Sequence, residues 1–152
     1  MAENEKVTLT TATEQQLISK VFLDIVNNCP DIPSGLMVQY GNLEDSESMC
    51  IIPNGKAIYT KQWISGSYEA QFPASLIYRV RPADTLKRLE AQKVIDQIGE
   101  YLENMSYPQI DGNRTIQKIE RLSNSELVYR DESGIEDWQL NLNLIYKYKK
   151  GK

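Results

Sequence analysis

The chain has 152 residues, 41% of them hydrophobic and 25% charged, with a formal net charge of −4 and no histidine. That length suits one domain with a core of its own, and the negative balance speaks against a dedicated nucleic-acid binder. The missing histidine removes Ser-His and Cys-His catalysis and every histidine metal site.

Residues 1–12 read as a flexible tail, polar and without the apolar stretch of a signal peptide; the folded core is expected over about 14–149 of a single domain. Thr13, with Gln16 three places on, has the form of a capping box. Leu17, Ile18, Val21, Phe22, Ile25, Val26 and Cys29 follow at helical spacing, which predicts a first helix over 14–28, stopped by Pro30 and Pro33. "GLMVQYGN" (35–42) alternates as a short strand, and "LEDSES" (43–48) is an acidic loop. In "MCIIPNGKAIYTKQWI" (49–64) two apolar runs flank Pro53-Asn54-Gly55, a hairpin-turn signal. "SYEAQFPASLIYRVR" (67–81) is a long alternating strand in which Pro73 demands an edge, a bulge or a break.

Asp84 can cap a second helix over 85–105, with Leu86, Leu89, Val94, Ile95, Ile98, Leu102 and Met105 on its core stripe and Lys87, Arg88, Lys93, Glu100 and Glu103 solvated. A strand over 115–130, interrupted near Ser123-Asn124-Ser125, turns at "DESG" (131–134) into a last strand over 135–149. There Trp138, Leu140, Leu142, Leu144, Tyr146 and Tyr148 share one face, while Gln139, Asn141, Asn143, Ile145, Lys147 and Lys149 share the other. The order helix, strands, helix, strands predicts an α+β fold: one two-layer domain, its sheet largely antiparallel or mixed, with two amphipathic helices packed on it.

Little in the chain carries chemistry. Cys29 and Cys50 are too few for a structural zinc site and read as buried thiols of a reducing compartment. Glu44, Asp45 and Glu47, and then Asp131, Glu132, Glu136 and Asp137, lack the spacing of a calcium loop and read as solvated turn residues. No glycine-rich phosphate loop is present, and no apolar run approaches the roughly 18 residues of a membrane span. The expectation is no catalytic residue, no cofactor and no metal. The Lys-Tyr alternation of "YKYKKGK" solubilises a strand end rather than binding nucleic acid. Arg79 and Arg81 either meet an acidic partner or solvate their face, and Trp63 is either a packing residue or part of a protein contact.

The stretch "ERLSNSELVYRDESGIEDWQLNLNLIY", the central "QYGNLEDSESMCIIPNGKAIYTKQWISGSYEAQFPASLIYRV" and the helix opening "TLKRLEAQKVID" together resemble the minor capsid and tail-completion proteins of siphophages and of prophages in Gram-positive bacteria. The resemblance covers about residues 14–148. It implies a tail terminator: a small α+β subunit, made in the host bacterial cytoplasm, that assembles as a ring, usually a hexamer. In the virion it sits at the head–tail junction, stops polymerisation of the tail tube protein and presents a joining surface to a head-completion or connector protein. It implies no catalytic residue. In this setting the amides Gln139, Asn141 and Asn143, with Arg79, Arg81 and Trp63, are the candidate subunit or partner interface, because amides can pair with a neighbour at lower desolvation cost than charges; the other reading is that these amides face water. The competing functions are another head–tail connector or minor capsid component, a non-catalytic protein-binding module, and an enzyme or enzyme inhibitor of phage origin, which would need a pocket of perturbed titratable groups.

Overall fold

Two helices and seven strands follow one another in a computed structural model that describes residues 9–151: α1 (Ala12–Asn27), β1 (Val38–Tyr40), β2 (Ser48–Pro53), β3 (Ile58–Gln62), β4 (Tyr68–Val80), α2 (Thr85–Asn104), β5 (Arg114–Arg121), β6 (Glu126–Arg130) and β7 (Glu136–Tyr148). The fold is α+β. All seven strands form one mixed sheet of order β1-β2-β4-β7-β5, in which β3 also pairs β4 and β6 also pairs β7. Only the β1–β2 pair is parallel. No helix among the described residues is long and apolar enough to cross a membrane.

The spine is β4 against β7, in continuous antiparallel register from Tyr68↔Tyr148 to Val80↔Glu136. Alternation sends Phe72, Ala74, Leu76 and Tyr78 of β4 and Trp138, Leu140, Leu142, Leu144 and Tyr146 of β7 to one face. There they form a single buried core with Ile18, Phe22, Ile25 and Val26 of α1 and Ile95, Ile98 and Leu102 of α2. Both helices therefore cover the same face, and among the described residues the opposite face carries no helix.

The N-terminus begins earlier than the periodicity suggests. Thr11, not Thr13, caps α1, accepting from the Glu14 amide at 3.2 Å. Leu9 bridges Ile58, and buried Thr10 donates its amide to the Ala57 carbonyl at 3.0 Å, so residues 9–12 are not a tail; the rest of that expectation lies outside the described residues. At the other end of α1, the Asn27 side chain pairs with both backbone groups of Val38, at 2.8 and 3.2 Å, tying the helix to the outermost strand.

Pro53-Asn54-Gly55 is not a hairpin. β2 and β3 both run along β4, β2 against residues 74–79 and β3 against residues 68–71, and do not pair with each other. A type I′ turn needs two residues with positive φ, and here Gly55 (φ 78°) has one while Asn54 does not. The segment is instead a break in an edge strand, placed where Pro73 needs it. The Asn54 amide donates to the Pro73 carbonyl at 3.0 Å. Since the N–H and C=O of one residue face the same neighbour in an antiparallel ladder, the N–H that Pro73 lacks faces this break, and the ladder to β7 stays whole. The β3–β4 hairpin closes further on, where the Trp63 amide donates to the Ser67 carbonyl at 2.9 Å over Gly66 (φ 97°). On the far edge β5 and β6 pair in succession with β7, interrupted at 122–125 as expected.

In α2, Asp84 caps as expected, accepting from the Lys87 amide at 2.9 Å. The core stripe differs: it is Ala91, Ile95, Ile98, Gly99 and Leu102, while Leu86 and Leu89 are 70% and 56% exposed. At 3.6 residues per turn, Leu89 lies about 180° around the helix from Ile98. The small residues mark the true stripe because the helix lies close to the sheet: a Cβ on Gly99 would stand 2.7 Å from Leu140 Cδ2 and from Arg121 Cδ. Nor is the opposite flank wholly solvated, since Arg88 reaches Glu136 and Glu103 holds Arg121 at 2.9 Å.

Candidate interaction surface

The helix-free sheet face holds the amides singled out from the sequence. Ser75 Oγ lies 2.8 Å from Asn141 Oδ1 and 3.2 Å from Asn54 Oδ1. Gln139 Nε2 donates to Asn141 Oδ1 at 3.1 Å, and Asn143 Nδ2 to Gln71 Oε1 at 3.4 Å. The amides thus bond first to one another. Gln139 and Asn141 are half-buried and Asn143 is buried, without any helix above them. One acceptor is left over: Asn143 Oδ1 is buried with no hydrogen-bond donor. The residue borders an open groove of about 560 Å3 that it lines together with Asn54, Lys56, Gln71, Pro73 and Leu122. Ile52 and Leu122 are exposed on the borders of this face.

Arg79, Arg81 and Trp63 do not join the amide cluster. Arg79 forks onto Asp137 at 2.8 and 2.9 Å and donates to the Glu44 carbonyl at 3.1 Å, so its charge is spent inside the chain. Arg81 is exposed at the same end of the sheet. Trp63 is 43% exposed in the β3–β4 turn at the other end, with the Lys147 ammonium 5.0 Å from its ring. The acid cluster before β7 also divides. Asp131 organises its turn through Ser133 and the Ile135 amide. Glu136, 2% exposed, is instead held between Arg88 and Arg130, and Asp137 is buried. Those two acids are structural ion pairs rather than solvated turn residues. Among the described residues, no three His, Cys, Asp or Glu side chains are grouped to hold a metal ion.

Both cysteines are free and buried. Burial pushes the Cys50 thiol up to about 11, with the Asp137 charge adding to it, which leaves it a poor nucleophile at neutral pH.

The most elaborate polar site escaped the sequence. Glu14, in the first turn of α1, is buried. Its carboxylate accepts from the Tyr146 hydroxyl at 2.5 Å, the Tyr68 hydroxyl at 2.6 Å and Arg114 Nη2 at 3.1 Å. Arg114 is held in turn by Asp111 at 2.6 Å and lies 4.8 Å over the Tyr148 ring, which stacks on Tyr68. One carboxylate thereby joins α1 to β4, β5 and β7. The signal was present in the helix phase: Glu14 lies one turn before Ile18 and two before Phe22, on the stripe that must be buried.

These phenols make a pH test. Burial, and then the bond to Glu14, raises Tyr146 and Tyr68 well above the ordinary phenol value; burial and the bond to Glu47 do the same for Tyr78. A raised phenol keeps its proton in the folded state. Its contribution to stability is therefore fully present below the unfolded value, about pH 10, and is lost as pH rises above it, by up to about 1.4 kcal/mol per group per pH unit. In an alkaline titration followed by phenolate absorbance, some of the nine tyrosines should ionise only together with loss of the fold. Ionisation of all nine near the ordinary value, with the fold intact, would refute the buried network.

No family model matches the chain, and no curated protein matches it.

Proposed function

We propose that the protein is a non-catalytic assembly subunit, a tail terminator that forms a ring at the head-proximal end of a phage tail tube, halts tube growth and presents the head-joining surface. The observation that carries this reading is the helix-free sheet face, with its paired amides, its unmatched Asn143 carbonyl and its exposed Ile52 and Leu122 borders. A buried acceptor without a donor costs about 1–3 kcal/mol, and a partner docked at the groove removes that cost only by turning the Asn143 amide toward an N–H of its own. Uncharged Ser75, Ile77, Gln139, Asn141 and Asn143 form the middle of the face, between charged flanks that include Lys118, Glu120 and Glu126, and interface centres are depleted of charged residues. The resemblance of residues 14–148 to tail-completion proteins supplies the setting, and the work proposed is geometric, so no reacting group is required. Contacts too weak to hold two free copies together can act when the tube end holds copies side by side.

Deleting the gene from its phage and viewing the particles by electron microscopy tests the reading. The expected result is filled heads without tails, together with free tails of irregular and often excessive length. Tails of normal length already joined to heads would remove it.

A further inference from the structure

The two ends of the β4–β7 spine carry opposite charge. At the Tyr68–Tyr148 end an open groove of about 650 Å3 is lined by Trp63, Asn113, Lys147, Lys149 and Lys150. Among the described residues none of these three lysines has a carboxylate within ion-pair distance. The acid facing the groove from β4 is Glu69, which lies across the strand pair from Lys147 and accepts from Thr60. At the Val80–Glu136 end the loop before β2 exposes Glu44 and Asp45, again without an ion-pair partner among the described residues, and the next turn adds Asp131 and Glu132. Among the described residues Arg81 beside them makes no ion pair, whereas Arg79, Arg88 and Arg130 are taken by Asp137 and Glu136.

Thirteen paired residues at about 3.3 Å each separate the two ends by roughly 40 Å. That is several screening lengths at physiological salt, about 8 Å. The charges cannot neutralise one another within one chain, and they can between two. One face of the Trp63 ring already carries the Lys147 ammonium, which leaves less of the ring open to stacking a nucleic-acid base.

We infer that the lysine groove receives the acidic loop Glu44–Glu47 of a second copy of the chain. The contact joins two different patches, so it propagates head to tail. It rests on the assembly reading above and names the surfaces that such a ring would use.

Charge exchange tests it. Lys149→Glu with Lys150→Glu reverses the groove, leaving Lys147 in place because Glu69 faces it; Glu44→Lys with Asp45→Lys reverses the loop. All four positions are exposed, so each variant should keep the parent melting temperature. At low ionic strength, sedimentation of the parent should show association that grows with concentration and disperses in high salt. Each double variant alone should associate at least about tenfold more weakly, since like charges then meet. An equimolar mixture of the two, or the chain carrying all four changes, should associate again. A parent that stays monomeric at low salt, association indifferent to salt, or failure of the mixture to restore it overturns the inference, as does a groove that binds a single-stranded oligonucleotide while the chains stay apart. Restored association alongside normal tails in the gene deletion would remove the terminator reading and leave the contact standing.

Discussion

Glu14→Ala should destabilise the protein by about 3–5 kcal/mol, the cost of removing one partner from a buried ion pair. The substitution removes a single carboxylate but strands three donors: the hydroxyls of Tyr68 and Tyr146 and the Arg114 guanidinium. Among the described residues Arg114 would keep only Asp111 as an acidic partner, in a place where solvent cannot fully replace what was lost. A domain has only about 5–15 kcal/mol in hand, so the loss should appear as a large fall in the denaturant midpoint. Glu14→Gln keeps the shape and one acceptor oxygen and should fall between the parent and the alanine variant. Urea unfolding of the three proteins measures the series. If Glu14→Ala unfolds within about 0.5 kcal/mol of the parent, as an ordinary surface substitution does, then the carboxylate does not bind α1 to the sheet.

Leu102→Ala and Leu89→Ala should separate widely, although both change a leucine of the same helix. Leu102 is fully buried between α2 and the sheet, whereas Leu89 is 56% exposed. The first leaves a cavity and should cost about 2–5 kcal/mol. The second should stay within about 0.5 kcal/mol. Thermal unfolding of both variants decides the matter, and comparable losses would show that the helix is rotated from the orientation described.

The Leu89 error has a physical origin that marks how far pattern reading reaches. The extent of α2, its Asp84 cap, the alternation of the last strand and the interruption at Ser123–Ser125 depend on local backbone preferences and strand period, and all were legible. Which side of α2 faces inward depends on how close the helix comes to the sheet. That distance is set by Ala91 and Gly99, which add almost nothing to a hydrophobic pattern. The Pro53-Asn54-Gly55 signal misled because turn chemistry is local, while the role of that segment is to serve Pro73 on the neighbouring strand. The burial of Glu14 was readable from the helix phase, but its partners were not, for a related reason. Its partners lie 54, 100 and 132 residues away, and a lone acid on an apolar stripe does not announce which hydroxyls will meet it. Within the candidate face, the alternation placed Gln139, Asn141 and Asn143 together. It could not show that the amides satisfy one another or that Arg79 is committed to Asp137, because both depend on cross-strand register.

The β4–β7 spine also sets an order of events for the folding chain. The β3–β4 and β6–β7 hairpins join neighbours in sequence and can close early. The spine is different: Val80 must find Glu136, and Tyr68 must find Tyr148, across the whole of α2, β5 and β6. Closing so long a loop is entropically costly before any contact rewards it, and topologies dominated by such pairings fold slowly. During that interval the inner edges of β4 and β7, paired with each other over thirteen residues in the finished fold, are open ladders. A nascent chain is then most exposed to exchanging strands with another copy, through the element that makes the finished fold rigid.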